Sequence, residues 1–482
     1  MAQRREEEET VVMFPFMGQG HIMPFLTLAL QIEQRFGYKI IFVNTPLNIK
    51  KLHSSLPSNS SISLIELPFC STDHGLPPNS ENTDTLPYPL ICNLLEATLS
   101  LKPYFDKLIL DLTKKQSHPP LCIITDMFHC WTVDIANDLN IFHALFNTGG
   151  AYGMGVYYSM WINLPHTKTD SDEFTLPDFP EVGSIHRSQL PNNLRSADGN
   201  DSWSKFMHKY LPLWFKSDGI LLNTIEELDQ TGLKYFRKQF SGRPVWPILP
   251  AFMHQKKFHS IRSKTQKCIE WLDNRAANSV LFVSFGSQNT ISSSQMMELA
   301  IGLEASDKNF IWVVRPPVEF NISEDFRSEW LPKGYEDRIK KQNKGLIVHK
   351  WAPQLDILSH KSTCAFLSHC GWNSVLESLS HGVPLLGWPL SGEQHYNSKL
   401  LEEEVGVCIE VGRGTICEVK HENIQKAIEL VMGESEKGVE MRRKACDIKK
   451  MIKNAIREDE EVKGGAIKAI EGFFNAALSM RK

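Results

Sequence analysis

The chain is predicted to fold as two doubly wound α/β domains facing a central cleft, and three observations carry that prediction. Its 482 residues, 42% of them hydrophobic, are more than a single core commonly organises. Apolar strand-like runs alternate with stretches of helical periodicity, the pattern of parallel sheets flanked by helices. The alternation occurs once in each half, with an irregular stretch between the two.

In the first half, strands are expected at residues 11–16, 39–44, 63–67, 121–125, 143–146 and 219–223. Helical periodicity follows the first of them over residues 22–37, and Gly37 stops it. Residues 166–202 are rich in Asp, Pro and Asn, and read either as a functional loop or as a loose insertion. Residues 244–264 lose periodicity and gain prolines and basic side chains. The interdomain linker is placed at 250–264 within that stretch, after a first domain of residues 1–249. In the second domain, residues 265–460, strands are expected at 279–285, 310–314, 346–349, 364–369 and 384–388. A helix at 374–382 is closed there by Gly382. Residues 461–482 hold an amphipathic final helix, at about 463–480.

Composition narrows the function. Net charge is −4, from 52 basic and 56 acidic residues, with no long basic stripe, so nucleic acid and anionic membrane surfaces are poor partners. The ten cysteines are scattered without metal-ligand spacing, as in a reduced cytosolic protein with no bound metal. The charged start, MAQRREEEET, lacks a signal core, and no apolar run is long enough to span a membrane. A cytoplasmic, monomeric protein is expected.

Two motifs carry chemistry. In MGQGHIMPF, residues 17–25, Gly18 and Gly20 begin a dinucleotide fingerprint, but its third glycine would fall on Met23. The next strand runs into NTPLN with no closing acidic residue, so a nicotinamide site is rejected. The glycines instead permit a tight turn that lifts His21 to the C-terminal edge of the sheet, where such sheets bind ligands. An imidazole there suits a general base; most of the 17 histidines must simply pack or cap. Asp126 ends the strand that a doubly wound order places beside the first. It can orient His21, or it can cap the turn beginning near Met127.

The second motif is WAPQLDILSHKSTCAFLSHCGWNSVLESLSHGVPLLGWPLSGEQ, residues 351–394. It reads as a strand, a turn opening a helix, and a second strand ending in polar groups. The helix N-terminus offers backbone N–H groups to a diphosphate, His369, Asn373 and Ser374 add donors, and Glu377 can accept from ribose hydroxyls. Taken singly, these residues could be core or solvated surface. Together they closely resemble the nucleotide-sugar signature of plant UDP-dependent (family 1) glycosyltransferases, and the likeness extends over nearly the whole chain.

That resemblance implies a GT-B fold of two Rossmann-like domains, with the last helix crossing back to the first. It implies an inverting, metal-independent hexosyltransferase of plant secondary metabolism that uses UDP-glucose as co-substrate and needs no other cofactor. His21 becomes the catalytic base and Asp126 its partner. Trp351 stacks on uracil, with Ala352 beside it, and Gln354 contacts the uridine. His369, Gly371, Asn373 and Ser374 address the diphosphate and Glu377 the ribose, while Trp372, Glu393 and Gln394 surround the sugar. Gln at position 394 leans towards glucose. Ser287, in VSFGSQ, donates to a phosphate or is a simple turn serine. The acceptor is expected to be a lipophilic flavonoid, phenylpropanoid or terpenoid hydroxyl compound, bordered by Gly20, Phe128 and Thr148. Ser391 and Gly392 stand where bulkier residues are more usual. The rival readings are a transferase for another UDP-sugar and a non-catalytic UDP-sugar-binding protein.

Overall fold

The computed structural model describes residues 9–249, 262–288, 290–321, 324–459 and 462–481, excepting the side chains of 85 and 262–265. The charged N-terminus and most of the assigned linker (250–264), together with the 460/461 boundary, lie outside the described residues. In the first domain the strands are β1 (Thr10–Phe14), β2 (Lys39–Asn44), β3 (Ser63–Glu66), β4 (Cys122–Asp126), β5 (Phe142–Asn147), β6 (Glu173–Thr175), β7 (Ser184–His186), β8 (Gly219–Leu222) and β9 (Val245–Pro247). In the second they are β10 (Val280–Ser284), β11 (Asn309–Val314), β12 (Gly345–His349), β13 (Thr363–Ser368), β14 (Leu385–Gly387) and β15 (Cys408–Glu410).

One sheet runs β3-β2-β1-β4-β5-β8-β9 and the other β12-β11-β10-β13-β14-β15, and every neighbouring pair in them is parallel. These are the two doubly wound lobes expected. Their central strands are buried along their whole length, as in TVVMF of β1 and VLFVS of β10, because helices cover both faces. The order reverses between β1 and β4 in one sheet and between β10 and β13 in the other. Ligand crevices form at such switch points.

Four details differ from the sequence reading. The helix after β1 starts at Gln19, so His21 lies inside its first turn. The donor helix starts at Trp372 and ends at Ser380, with Gly382 at φ +75° just past its end. Residues 245–247, expected in an aperiodic stretch, form the edge strand β9. Residues 166–202 are not loose: they hold the antiparallel β6–β7 pair, and Phe174, Leu176, Phe179, Ile185 and Leu194 are buried.

The last helix, Gly465–Met480, packs on the first lobe. Phe473 meets Phe142 and Trp246 with ring centroids 5.7 and 5.2 Å apart, and Phe474 meets Phe36 at 4.6 Å. A two-pronged Arg35–Glu458 contact of 2.5 and 2.6 Å holds the preceding segment there. Among the described residues, no helix is long and apolar enough to cross a membrane.

Candidate active site

The helix Gln19–Phe36 is capped by Gly18, four residues past β1, where space is tight: a Cβ there would sit 3.0 Å from Thr83 Oγ1. His21 is thereby carried to the sheet edge with its side chain 22% exposed. Its Nδ1 lies 2.8 Å from Oδ2 of the fully buried Asp126. Asp126 reaches it because β4 pairs directly with β1. The other oxygen, Oδ1, accepts the Phe128 backbone N–H at 3.1 Å, so Asp126 also caps the turn that follows β4. Both readings of this residue hold at once.

Burial alone would lower the His21 pKa, but the charge and hydrogen bond of Asp126, aided by Glu393 across the cleft, raise it above its usual 6.5. A base must be neutral to take a proton. Transfer is therefore expected to fall as pH drops through an apparent value above 6.5, while UDP binding is retained. A pH profile of kcat/KM beside calorimetric UDP titrations measures both. The other buried histidines of this lobe contrast with His21. His143 is held by Thr132 and Ser217 at 2.9 Å and has its pKa pushed down to about 3 by burial, as befits a core residue.

On the facing lobe, Trp351 follows Lys350, a non-glycine residue at φ +73°, and is 38% exposed at the cleft. Ala352 is buried beside it. Gln354 donates to Glu377 at 2.7 Å and to Ser374 Oγ at 3.0 Å. Burial raises the Glu377 carboxyl to about 7 despite that bond, so it gains by meeting hydroxyl donors. His369 is wedged between two glycines: a Cβ on Gly286 would lie 2.8 Å from its ring and one on Gly371 only 2.4 Å. Burial first, then the Arg315 cation, lowers its pKa to about 4, leaving a neutral donor for a phosphate oxygen. Ser287 stands exposed in the turn after β10, and its carbonyl accepts from Arg315 at 2.5 Å.

Three residues are engaged differently from the expectation. Trp372 borders the cavity, but its indole N–H donates to the Asn223 carbonyl at 2.6 Å and its ring packs on Gly150 of the first lobe. Asn373 donates to the Gly20 carbonyl at 2.9 Å and accepts from Asn223 at 3.2 Å. The Gln394 carbonyl oxygen accepts from Leu390 and Ser391 N–H groups at 3.0 and 3.1 Å. It closes that turn, and the amide –NH2 also donates to Ser391 Oγ at 3.4 Å, so one N–H is left to face a sugar. Glu393 stays on the cavity wall, its pKa raised by burial.

His21 on one lobe and Ser287, Trp351, Ala352, Gln354, His369, Gly371, Asn373, Ser374, Glu377, Glu393 and Gln394 on the other border one cavity of about 530 Å³ between the lobes, with Asp126 buried behind His21. Gly20, Phe128 and Thr148 border it too, and Phe128 lies with its ring 5.8 Å from that of His21. Sequence reading missed Asn223 and Arg315, which carry no motif signal. It also missed Tyr88, Leu95, Met154, Tyr157 and Trp203, apolar or aromatic wall residues that look like ordinary core in a sequence.

Two doubly wound lobes, a carboxylate-held imidazole on one and a glycine-cradled helix N-terminus on the other, define a nucleotide-sugar-dependent glycosyltransferase. Residues 201–445 match the family described as UDP-glucoronosyl and UDP-glucosyl transferase. UDP-glycosyltransferase 92A1 of Arabidopsis thaliana is 47% identical over 99% of both chains. Crocetin glucosyltransferase 3 of Crocus sativus is 43% identical over 89% of this chain and 92% of its own. A Glycyrrhiza uralensis UGT, solved with glycyrrhetinic acid 3-O-monoglucuronide, superposes with a TM-score of 0.81 at 29% identity, over 98% of this chain and 96% of that one. The chain belongs to the plant family 1 UDP-glycosyltransferases. It has their GT-B fold and is an inverting glycosyltransferase.

Proposed function

We propose that the protein is a UDP-glucose-dependent O-glucosyltransferase acting on a hydroxyl of a lipophilic small molecule such as a flavonoid, phenylpropanoid or terpenoid. One observation carries the reading. The imidazole that Asp126 holds at 2.8 Å opens into the same cavity as Trp351, Glu377 and Gln394.

UDP lies along the second lobe, with uracil on Trp351 and Ala352, ribose at Gln354 and Glu377, and diphosphate at the helix N-terminus. His369, Ser374 and Ser287 donate to the phosphates, helped by the Gly371 backbone, and meet the charge that develops on departing UDP. His21 Nε2 removes the acceptor hydroxyl's proton as that oxygen attacks the anomeric carbon. The carbon–phosphate-oxygen bond breaks on the opposite face, and UDP leaves with the bonding electrons. A single displacement converts an α-linked donor into a β-glucoside. Asp126 stabilises the imidazolium that forms. Phe16, Met127, Phe128, Tyr88, Leu95 and Met154 supply an apolar acceptor wall. Among the described residues no cysteine is paired in a disulfide, and we take the enzyme to be cytosolic and to act as a monomer.

The donor sugar is the open point among relatives, since one is named a glucosyltransferase and another is solved with a glucuronide. Gln394 favours glucose here: its remaining N–H is a neutral donor suited to sugar hydroxyls. Equal amounts of UDP-glucose, UDP-galactose and UDP-glucuronate, offered with an acceptor panel and EDTA, should give glucoside at a preference of at least about tenfold. Gln394→His should erode that preference. Glucuronide or galactoside as the main product would overturn the donor assignment, and loss of activity in EDTA would overturn the metal-free route.

A further inference from the structure

We infer that Pro24 is a positioning residue for the transfer reaction, because it frees the backbone group that ties the base to the donor lobe. Pro24 lies inside the helix Gln19–Phe36. Its nitrogen carries no proton, so the carbonyl four residues earlier, that of Gly20, has no helical donor. That carbonyl accepts from Asn373 Nδ2 at 2.9 Å. Asn373 is the second residue of the donor helix Trp372–Ser380, on the opposite lobe.

The tie is held at its far side as well. Asn373 Oδ1 accepts from Asn223 Nδ2 at 3.2 Å, and the same amide donates to the Thr148 carbonyl at 3.0 Å. The Asn223 carbonyl takes the Trp372 indole N–H at 2.6 Å. Two consecutive residues of the donor helix are thus fastened to the first lobe, one of them at the residue immediately before His21. A continuous helix would aim a backbone N–H at the Gly20 carbonyl and draw it towards the helix axis, in competition with Asn373 for that oxygen. The proline interruption sets how far the imidazole stands from the sugar carbon held next to the diphosphate.

The inference rests on His21 as the base, and the test separates the two. Pro24→Ala restores an amide proton that competes with Asn373 for the Gly20 carbonyl. Its kcat should fall about ten- to a hundredfold through misplacement of the base. The UDP dissociation constant should stay within about twofold, and the unfolding temperature should be equal or higher because the helix gains a hydrogen bond. In an Asn373→Ala background the same change should cost nothing further, since the acceptor has already lost its partner. Unchanged kcat in Pro24→Ala, multiplying losses in the double variant, or a fall in kcat that merely follows a lowered unfolding temperature would each overturn the inference. Failure of the base reading would show separately, as retained turnover in His21→Ala.

Discussion

His21→Ala should lower kcat about 10³-fold, roughly 4 kcal/mol of barrier, while UDP binds as before. The two effects separate because the imidazole and the nucleotide site belong to different lobes. His21 lies 2.8 Å from Asp126 on the first lobe, whereas Trp351, Gln354 and Glu377 stand on the second. Removing the ring deletes the proton acceptor for the hydroxyl and leaves the diphosphate donors in place. Steady-state rates together with calorimetric UDP titration measure both quantities. Full activity in the variant would remove His21 from the chemistry.

Asp126→Asn should cost at least as much, about 10³- to 10⁴-fold, although it changes only one atom of the side chain. Asp126 uses both oxygens: Oδ1 accepts the Phe128 N–H and Oδ2 faces His21 Nδ1. Asparagine has a single oxygen. The buried Phe128 N–H claims it, because leaving that donor unmet would cost roughly 1–3 kcal/mol. The –NH2 then points at His21 and donates to Nδ1, which forces the ring proton onto Nε2. An Nε2 that carries a proton cannot receive one from the acceptor. The lost carboxylate charge also withdraws the main influence that raises the His21 pKa, so residual activity should persist to lower pH. Asp126→Ala, which lets His21 choose either tautomer, should retain more activity than Asp126→Asn. The reverse ranking would contradict the tautomer argument.

How much of this was legible in the sequence follows from where each interaction lies. The His21–Asp126 pair was legible because doubly wound order sets β4 beside β1, and both residues sit at or just beyond the C-terminal ends of those strands. The cradle around His369 was legible because it comes from one contiguous run of residues. The engagement of Trp372 and Asn373 was not. Both look like donor ligands within their own segment, and only the opposing lobe shows that Asn223 and Gly20 take their hydrogen bonds. β9 and β15 were missed for a different reason: each is three residues long and lies outside any motif, whereas the equally short β14 falls within the 351–394 run. Composition left the segment 166–202 open. Its Asp, Pro and Asn residues form turns, while a few well-placed apolar side chains bury it against the acceptor domain.

The most direct measurement is a crystal structure with UDP bound, a non-transferable glucose-donor analogue in a parallel soak, and an acceptor that the enzyme turns over. The account predicts uracil on Trp351, ribose on Glu377, and the reacting hydroxyl about 2.6–3.2 Å from His21 Nε2 on the face of the sugar opposite the diphosphate. An acceptor hydroxyl out of reach of that nitrogen, with the nucleotide seated as described, would contradict it.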